Sequence, residues 1–455
     1  MERLGYFALV ALLFVRYSRI VEGYGSLRIP LLLLVFATFV AFAKGSVIRG
    51  LYHRLGGILI ALTFFVVLSV PFSVWPGGSA KFLTSQWFRT VLVFFLVVAY
   101  ATTFQRVRAM VMSIAASFVI VGARSAVSSS QRFGGTREGG QDHTFGNPND
   151  LAMAMLLAIP LCLWLAMDKR SSILVRFLFL MAIPVIAYPM SQTGSRMMLL
   201  CAGLLGVYFV YKLRGVARIA FVAGGLAISV VAVATMPSTS LARLKTLIDG
   251  SAITGDSEAK LDDDAAQQVV ESASLSSSGR LHLLRQSVIL ALENPIFGVG
   301  VHMFSVAEND LAVKAGKRKG QWQVAHNSYT EVAAECGLLA FTAYVMFLAG
   351  GWKVYSFLEA LTAEEHRDWQ HYKLFAWVLK GVLVVYLICS FFLSVGYGDM
   401  MPTIIALGIG AQMAVRRDQM MLARASAPAP VEPAPLYGYG PEAIAYSTQT
   451  AVEGD

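Results

Sequence analysis

The chain has 455 residues, 56% of them hydrophobic and 14% charged, with a mean hydropathy of +0.61 and a formal net charge of +9. A water-soluble domain of this composition would aggregate, so the solvent for most of the chain is lipid. The cationic excess is read as loop topology and not as a nucleic-acid surface, and the four cysteines, Cys162, Cys201, Cys336 and Cys389, all lie in apolar runs, which argues against a disulfide framework.

Apolar runs of about 20 residues mark bilayer spans. Roughly twelve occur, at 4–21, 28–44, 55–73, 87–104, 108–127, 149–167, 172–190, 196–212, 216–236, 327–351, 374–396 and 401–416. The first is the weakest, and Arg16 and Arg19 interrupt it; no small-residue cleavage site follows, so it is not read as a removable signal peptide. Pro71, Pro160, Pro184 and Pro402 lie in or at the ends of spans, where membrane helices tolerate them.

With the N-terminus inside, the cytoplasmic loops carry Lys44, Arg49 and Arg54, then Arg106 and Arg108, then Lys169 and Arg170, then Lys212, Arg214 and Arg218, with Arg416 and Arg417 opening the tail. Opposite loops hold fewer cations, Lys81, Arg132 and Arg137 excepted, so both termini are expected in the cytoplasm. The expected organisation is N-terminal helices at 1–127, central helices at 128–236, a large outer loop at 237–325, C-terminal helices at 326–416 and a Pro-rich disordered tail at 417–455. The early half of the outer loop is polar and is expected to be mobile. In its later half Ser278 caps an expected helix with Leu281, Leu284, Val288 and Leu292 on one face, ended by Asn294-Pro295.

The stretch QWQVAHNSYTEVAAECGLLAF, Gln321–Phe341, runs from polar residues straight into an apolar span, which puts His326 where a membrane helix meets water. Arg196 opens the eighth span after SQTGS, and Arg280 opens the expected loop helix. Charges near lipid are default site candidates. Two guanidinium groups suit a diphosphate, since they bind phosphate oxygens in pairs and stay charged. A histidine is the side chain most readily poised as a base near neutral pH. Together these residues point to a lipid-diphosphate donor whose leaving charge the arginines hold while His326 takes the proton of an attacking hydroxyl.

The segments GSRMMLL (194–200), SGRLHLLRQSVILALENPIFGVG (278–300) and HNSYTEVAAECGLLAF (326–341), with FGNPNDLA (145–152), resemble the O-antigen ligase and polymerase superfamily in their order, spacing and membrane setting. The resemblance runs from about the fifth span to the twelfth. It implies an all-α, type-C glycosyltransferase-like membrane fold of about twelve helices with a large periplasmic loop, in the bacterial inner membrane. It also implies metal-independent, inverting transfer of a glycan from undecaprenyl diphosphate, with no cofactor. The acceptor in the ligase branch is a lipid A-core sugar; other branches extend a glycan or modify a protein. On this resemblance Arg196 and Arg280 bind the diphosphate and His326 is the base.

Arg285 is a further candidate for substrate, but it points about 140° away from Arg280 around a helix. Arg280 is preferred because helix N-termini favour anions. Plainer readings stand beside these: Arg196 as an interfacial anchor, Arg280 as a solvated charge, His326 as a helix cap. Asn327 and Tyr329 either contact substrate or serve the interface. Asn147 and Asn149, with Asp150, cap the sixth span or touch the glycan. Asp399 in GYGDM orients His326, binds acceptor or shapes a turn. Glu331 and Glu335 share a helix face, and Glu335, about 13 Å below His326, is read as the partner of a buried polar group. Asp262, Asp263 and Asp264 are read as solvated and not as a metal site. The Arg124 to Gly135 spacing is reminiscent of polymerases. A transporter of lipid-linked sugar is the alternative from another class; it calls for midplane charges and symmetric repeats, and neither is visible. A purely structural subunit would not need the two arginines and the histidine.

Overall fold

The computed structural model describes residues 1–20, 28–127, 132–133, 137–138, 147–236 and 264–425, without the side chains of 132–133, 137–138, 264–277 and 425. Residues 21–27 of the first loop, Gly135, the polar stretch 237–263 with Asp262 and Asp263, and the Pro-rich tail lie outside the described residues.

The described chain is helical apart from one two-residue antiparallel ladder, β1 (Arg132–Phe133) against β2 (Arg137–Glu138). The first helices are α1 (Glu2–Ser18), α2 (Ile29–Ala43), α3 (Ile48–Tyr52) and α4 (Arg54–Leu68). Next, α5 (Pro76–Phe82) passes through one π turn into α6 (Phe88–Tyr100), followed by α7 (Phe104–Val127). The central helices are α8 (Pro148–Met167), α9 (Ile173–Gln192), α10 (Arg196–Lys212) and α11 (Gly215–Thr235). Last come α12 (Asp264–Glu293), α13 (Phe304–Lys314), α14 (Ser328–Ala360), α15 (Trp369–Cys389) and α16 (Met400–Ala425).

Among the described residues seven helices are long and apolar enough to cross a bilayer: Pro76–Tyr100, α7, α8, α9, α11, α14 and α15; α2 and α4 are apolar but shorter. The chain is therefore a multi-pass membrane protein. None of α11 is buried by protein, so only lipid can cover its apolar surface. Contacts divide the chain into two units, Met1–Val415 and Arg416–Asp455.

Within the first unit, α14 packs on α4, α12 and α15; α8 packs on α7, α9 and α15; α1 packs on α2 and α7. The core is aliphatic and aromatic, with Trp87, Trp164, Tyr100, Phe94 and Phe375 almost wholly buried. At one end of the bundle the loop cations find acids: Arg106 with Glu2 (2.9 Å), Arg108 with Asp168 (2.7 Å), Arg170 with Asp368 (2.6 Å) and Lys212 with Glu359 (2.5 Å). The last pair ties the ends of α10 and α14 together. Both helices therefore start at the opposite end, where Arg196 and His326 lie.

Two features of the outer segment differ from expectation. The loop helix begins at Asp264, not at Ser278, so Arg280 sits well inside α12 and not at an anion-favouring N-terminus. The run Ala265, Ala266, Gln267, Gln268 consists of good helix formers, and the Ser-Ser-Ser-Gly stretch that follows does not break the helix. The expected apolar face is also not the packed one. Leu281, Val288 and Leu292 are exposed, while Leu283, Ser287, Leu290 and Ala291 are buried. The helix carries two apolar faces, and periodicity alone does not say which of them meets protein.

α14 is interrupted at Gly337, whose φ of 84° and ψ of 172° are not helical. The loop after α12 fills the break. Val299 N–H donates to Ala334 O and Gly300 N–H to Glu335 O, both at 2.9 Å, and Leu338 N–H donates to Pro295 O at 2.8 Å. The Glu335 carboxylate completes the joint by accepting from His302 N–H (2.8 Å) and Phe304 N–H (2.9 Å). A broken helix in lipid must have its freed backbone groups satisfied by protein, and here one loop does so. Glu335 thus holds buried backbone donors and lies away from the imidazole of His326. The joint fixes α12, which carries Arg280, against α14, which follows His326.

Candidate functional site

His326 precedes α14 in a left-handed backbone conformation, φ 53°, and donates its N–H to Ser394 Oγ at 3.1 Å. The residues after it are stitched to the end of α15 and the loop beyond. Asn327 caps α14: its Oδ1 accepts from Tyr329 N–H (3.0 Å) and Thr330 N–H (3.1 Å), and its Nδ2 donates to Phe391 O (3.3 Å). Ser328 donates through N–H to Ser390 O (2.8 Å) and through Oγ to Leu393 O (2.6 Å). The Tyr329 hydroxyl donates to Leu387 O at 2.8 Å. The polar atoms of Asn327 and Tyr329 are thus engaged in holding this corner.

Arg196 is the first residue of α10, where Ser195 Oγ accepts from Met198 N–H at 3.4 Å and Gly194 takes a φ of 56° to turn the chain in. Arg280 lies half-buried on α12. It lies within electrostatic reach of Arg196, His326 and Asp150. The three residues read from the sequence therefore gather around Arg280. Burial lowers the Arg280 guanidinium from its ordinary value, Arg196 adds to this, and Asp150 opposes it. Burial first, and the Arg280 charge second, push the His326 imidazole down to about 4, so it is neutral at pH 7.

The other candidates are placed differently. Arg285 is exposed on α12, on a different face from Arg280. Asn147 is the N-cap of α8, accepting from Asn149 N–H at 3.0 Å, and Asn149 is buried in the first turn. Asp399 is ion-paired with Arg16 of α1. Arg16 is 383 positions away in sequence, so this partner is not legible from any local pattern.

Beside the cluster lies a cavity of about 250 Å³. Asp150, Glu331, Ser394, Asp399, His302 and Arg16 contribute polar groups to its wall, and Phe82 and Tyr397 contribute rings. Asp150 borders both places, since it lines the cavity and feels the Arg280 charge. The sequence pattern shows Asp150 only as a helix-capping acid; the signal for more was a carboxylate at the mouth of an otherwise uncharged apolar span. His302 carried no sequence signal. Among the described residues no three His, Cys, Asp or Glu side chains converge into a metal-binding group.

A family model described as O-antigen ligase matches residues 179–345. The matched segment holds Arg196, Arg280, His326 and both sides of the α14 joint. No curated protein matches the chain.

Proposed function

We propose that this chain, a member of the O-antigen ligase superfamily, moves a glycan en bloc from undecaprenyl diphosphate to an acceptor hydroxyl at the periplasmic face of the inner membrane. The acceptor oxygen attacks the anomeric carbon, the bond from that carbon to the diphosphate oxygen breaks, and its electron pair leaves with the polyprenyl diphosphate. His326 accepts the hydroxyl proton, and the sugar inverts. Arg196 and Arg280 hold the diphosphate and offset the charge that grows on it. A diphosphate leaves readily, so the reading needs neither a metal nor a general acid. It also takes the spans to number about twelve in a type-C-like arrangement, with the Arg280 helix on the outer side. A lipid A-core sugar is the acceptor the ligase branch implies.

The observation that supports this reading is that Arg280 lies within electrostatic reach of both Arg196 and His326. A neutral imidazole within reach of the Arg280 guanidinium is suited to take a proton while a dianion sits next to it.

The deciding experiment is His326→Ala in lipid nanodiscs with a defined polyprenyl-diphosphate oligosaccharide. Transfer is expected to fall roughly 10²–10⁴-fold, the range of a lost general base, with donor binding retained; near-normal turnover would show that the base lies elsewhere. Chelator is expected to leave the rate unchanged. Offering core lipid, a second donor molecule and a periplasmic protein side by side identifies the acceptor by which product grows.

A further inference from the structure

The cavity next to the arginine cluster lacks the surplus of positive charge that a diphosphate needs. Its wall carries the acidic side chains Asp150, Glu331 and Asp399 beside Arg16 and Arg19, and Arg16 is already paired with Asp399. A diphosphate entering it would find no surplus of positive charge, whereas Arg196 and Arg280 offer two guanidinium groups that do not line it. Its chemistry fits a different ligand. Carboxyl oxygens accept hydrogen bonds, and sugar hydroxyl groups can donate them.

Glu331 is 4% exposed, and its Oε2 has no hydrogen-bond partner among the described residues. The wall also offers a flat apolar surface. The ring of Phe82 stacks on His302 with centroids 4.4 Å apart at 13°, and Tyr397 meets Phe82 edge-on at 5.6 Å. Such rings suit the C–H face of a pyranose while the acids take its hydroxyls. The volume of about 250 Å³ falls below the roughly 300–1,000 Å³ of sites for drug-sized ligands, which leaves room for a single ring and not an oligosaccharide. Ser394, in the wall, accepts the backbone N–H of His326, so the cavity begins beside the base.

We propose that this cavity is the acceptor's ring site, that it takes one sugar ring carrying the attacking hydroxyl, and that the ring must be uncharged. This rests on the glycan-transfer reading above and adds to it the location and charge of the acceptor sugar. Asp150 would border both substrates, since it lines the cavity and lies within electrostatic reach of Arg280.

The test uses the full chain in nanodiscs and two binding measurements. Farnesyl diphosphate probes the donor side; ligand-observed NMR with neutral methyl hexosides of glucose, galactose and mannose, and with the matching methyl uronides, probes the cavity. At least one neutral hexoside is expected to bind and no uronide. Gln86→Trp, at an exposed position on the cavity wall where folding tolerates bulk, should weaken hexoside binding by about tenfold or more, or 1.4 kcal/mol, and leave farnesyl diphosphate untouched. Asp150→Asn should admit uronides. If farnesyl diphosphate binds but no neutral hexoside does, or if Gln86→Trp binds hexoside normally, the ring site is refuted and the donor reading stands. If farnesyl diphosphate itself does not bind, or still binds after Arg196→Ala and Arg280→Ala, the glycan-transfer reading fails instead.

Discussion

The left-handed backbone of His326 is uncommon for a residue with a side chain and costs on the order of 1–3 kcal/mol. The bond to Ser394 and the capped corner at Asn327 hold it there. Charge sets its chemistry. Since burial, with the Arg280 charge second, holds His326 at about 4, the imidazole is protonated only in acid, and on the proposed role kcat/KM should fall, along an acidic limb, only as the pH drops toward that value. Removing the positive neighbour favours the imidazolium, so Arg280→Gln should move the limb to higher pH; a pH–rate profile on the residual activity checks the direction. A second residue-scale expectation concerns Asp399. Its ion pair with Arg16 predicts that Asp399→Asn and Arg16→Gln each lower thermal stability and that the double variant is no worse than the poorer single one. Arg196 and His326 stand out in the sequence as a charge and a base at the edges of apolar runs, whereas Arg280 lies inside α12. The Asp399 partnership was not legible in the sequence, because pairing between distant helices leaves no local trace.

At the scale of elements, the joint between α14 and the loop after α12 carries the geometry. A Cβ on Gly298 would lie 2.2 Å from the backbone of Glu335, and one on Gly337 would lie 2.2 Å from Ile296 O, both at positive φ. Neither neighbour is a flexible side chain. Gly298→Ala and Gly337→Ala should therefore each cost about 1–3 kcal/mol and reduce transfer as Arg280 loses its register with His326. Gly203→Ala and Gly224→Ala, helical and with open space around them, should be neutral or stabilising by up to about 1 kcal/mol. Thermal unfolding in detergent compares the four. The sequence showed the apolar run of α14 but not its interruption, since ECGLLAF reads as continuous helix and only the docked loop makes the left-handed Gly337 favourable. The start of α12 was misjudged for a related reason: the Ser and Gly residues before Arg280 resemble a cap, yet the preceding alanines and glutamines extend the helix through them.

Across the whole molecule, charge is sorted between two ends. Lys212 and the buried Lys380 both grip Glu359, each at 2.5 Å, about 24 Å along α10 from Arg196. Leaving the buried Lys380 without its acid should destabilise the fold, since a buried charge loses its partner. Glu359→Gln should accordingly melt earlier while retaining wild-type affinity for farnesyl diphosphate, measured on the same nanodisc preparation. A lower affinity would mean that the two ends are mechanically linked.

The interrupted α14 also fixes an order of events in biogenesis. Residues 294–303 leave the ribosome before the carbonyls of Ala334 and Glu335 that they will cap. The receptor for that loop exists only once the later helix has been threaded and has opened at Gly337. Closure of the end that carries His326 is therefore a late event in the life of the nascent chain, and products that stop short of residue 338 are left with a loop that has nowhere to dock.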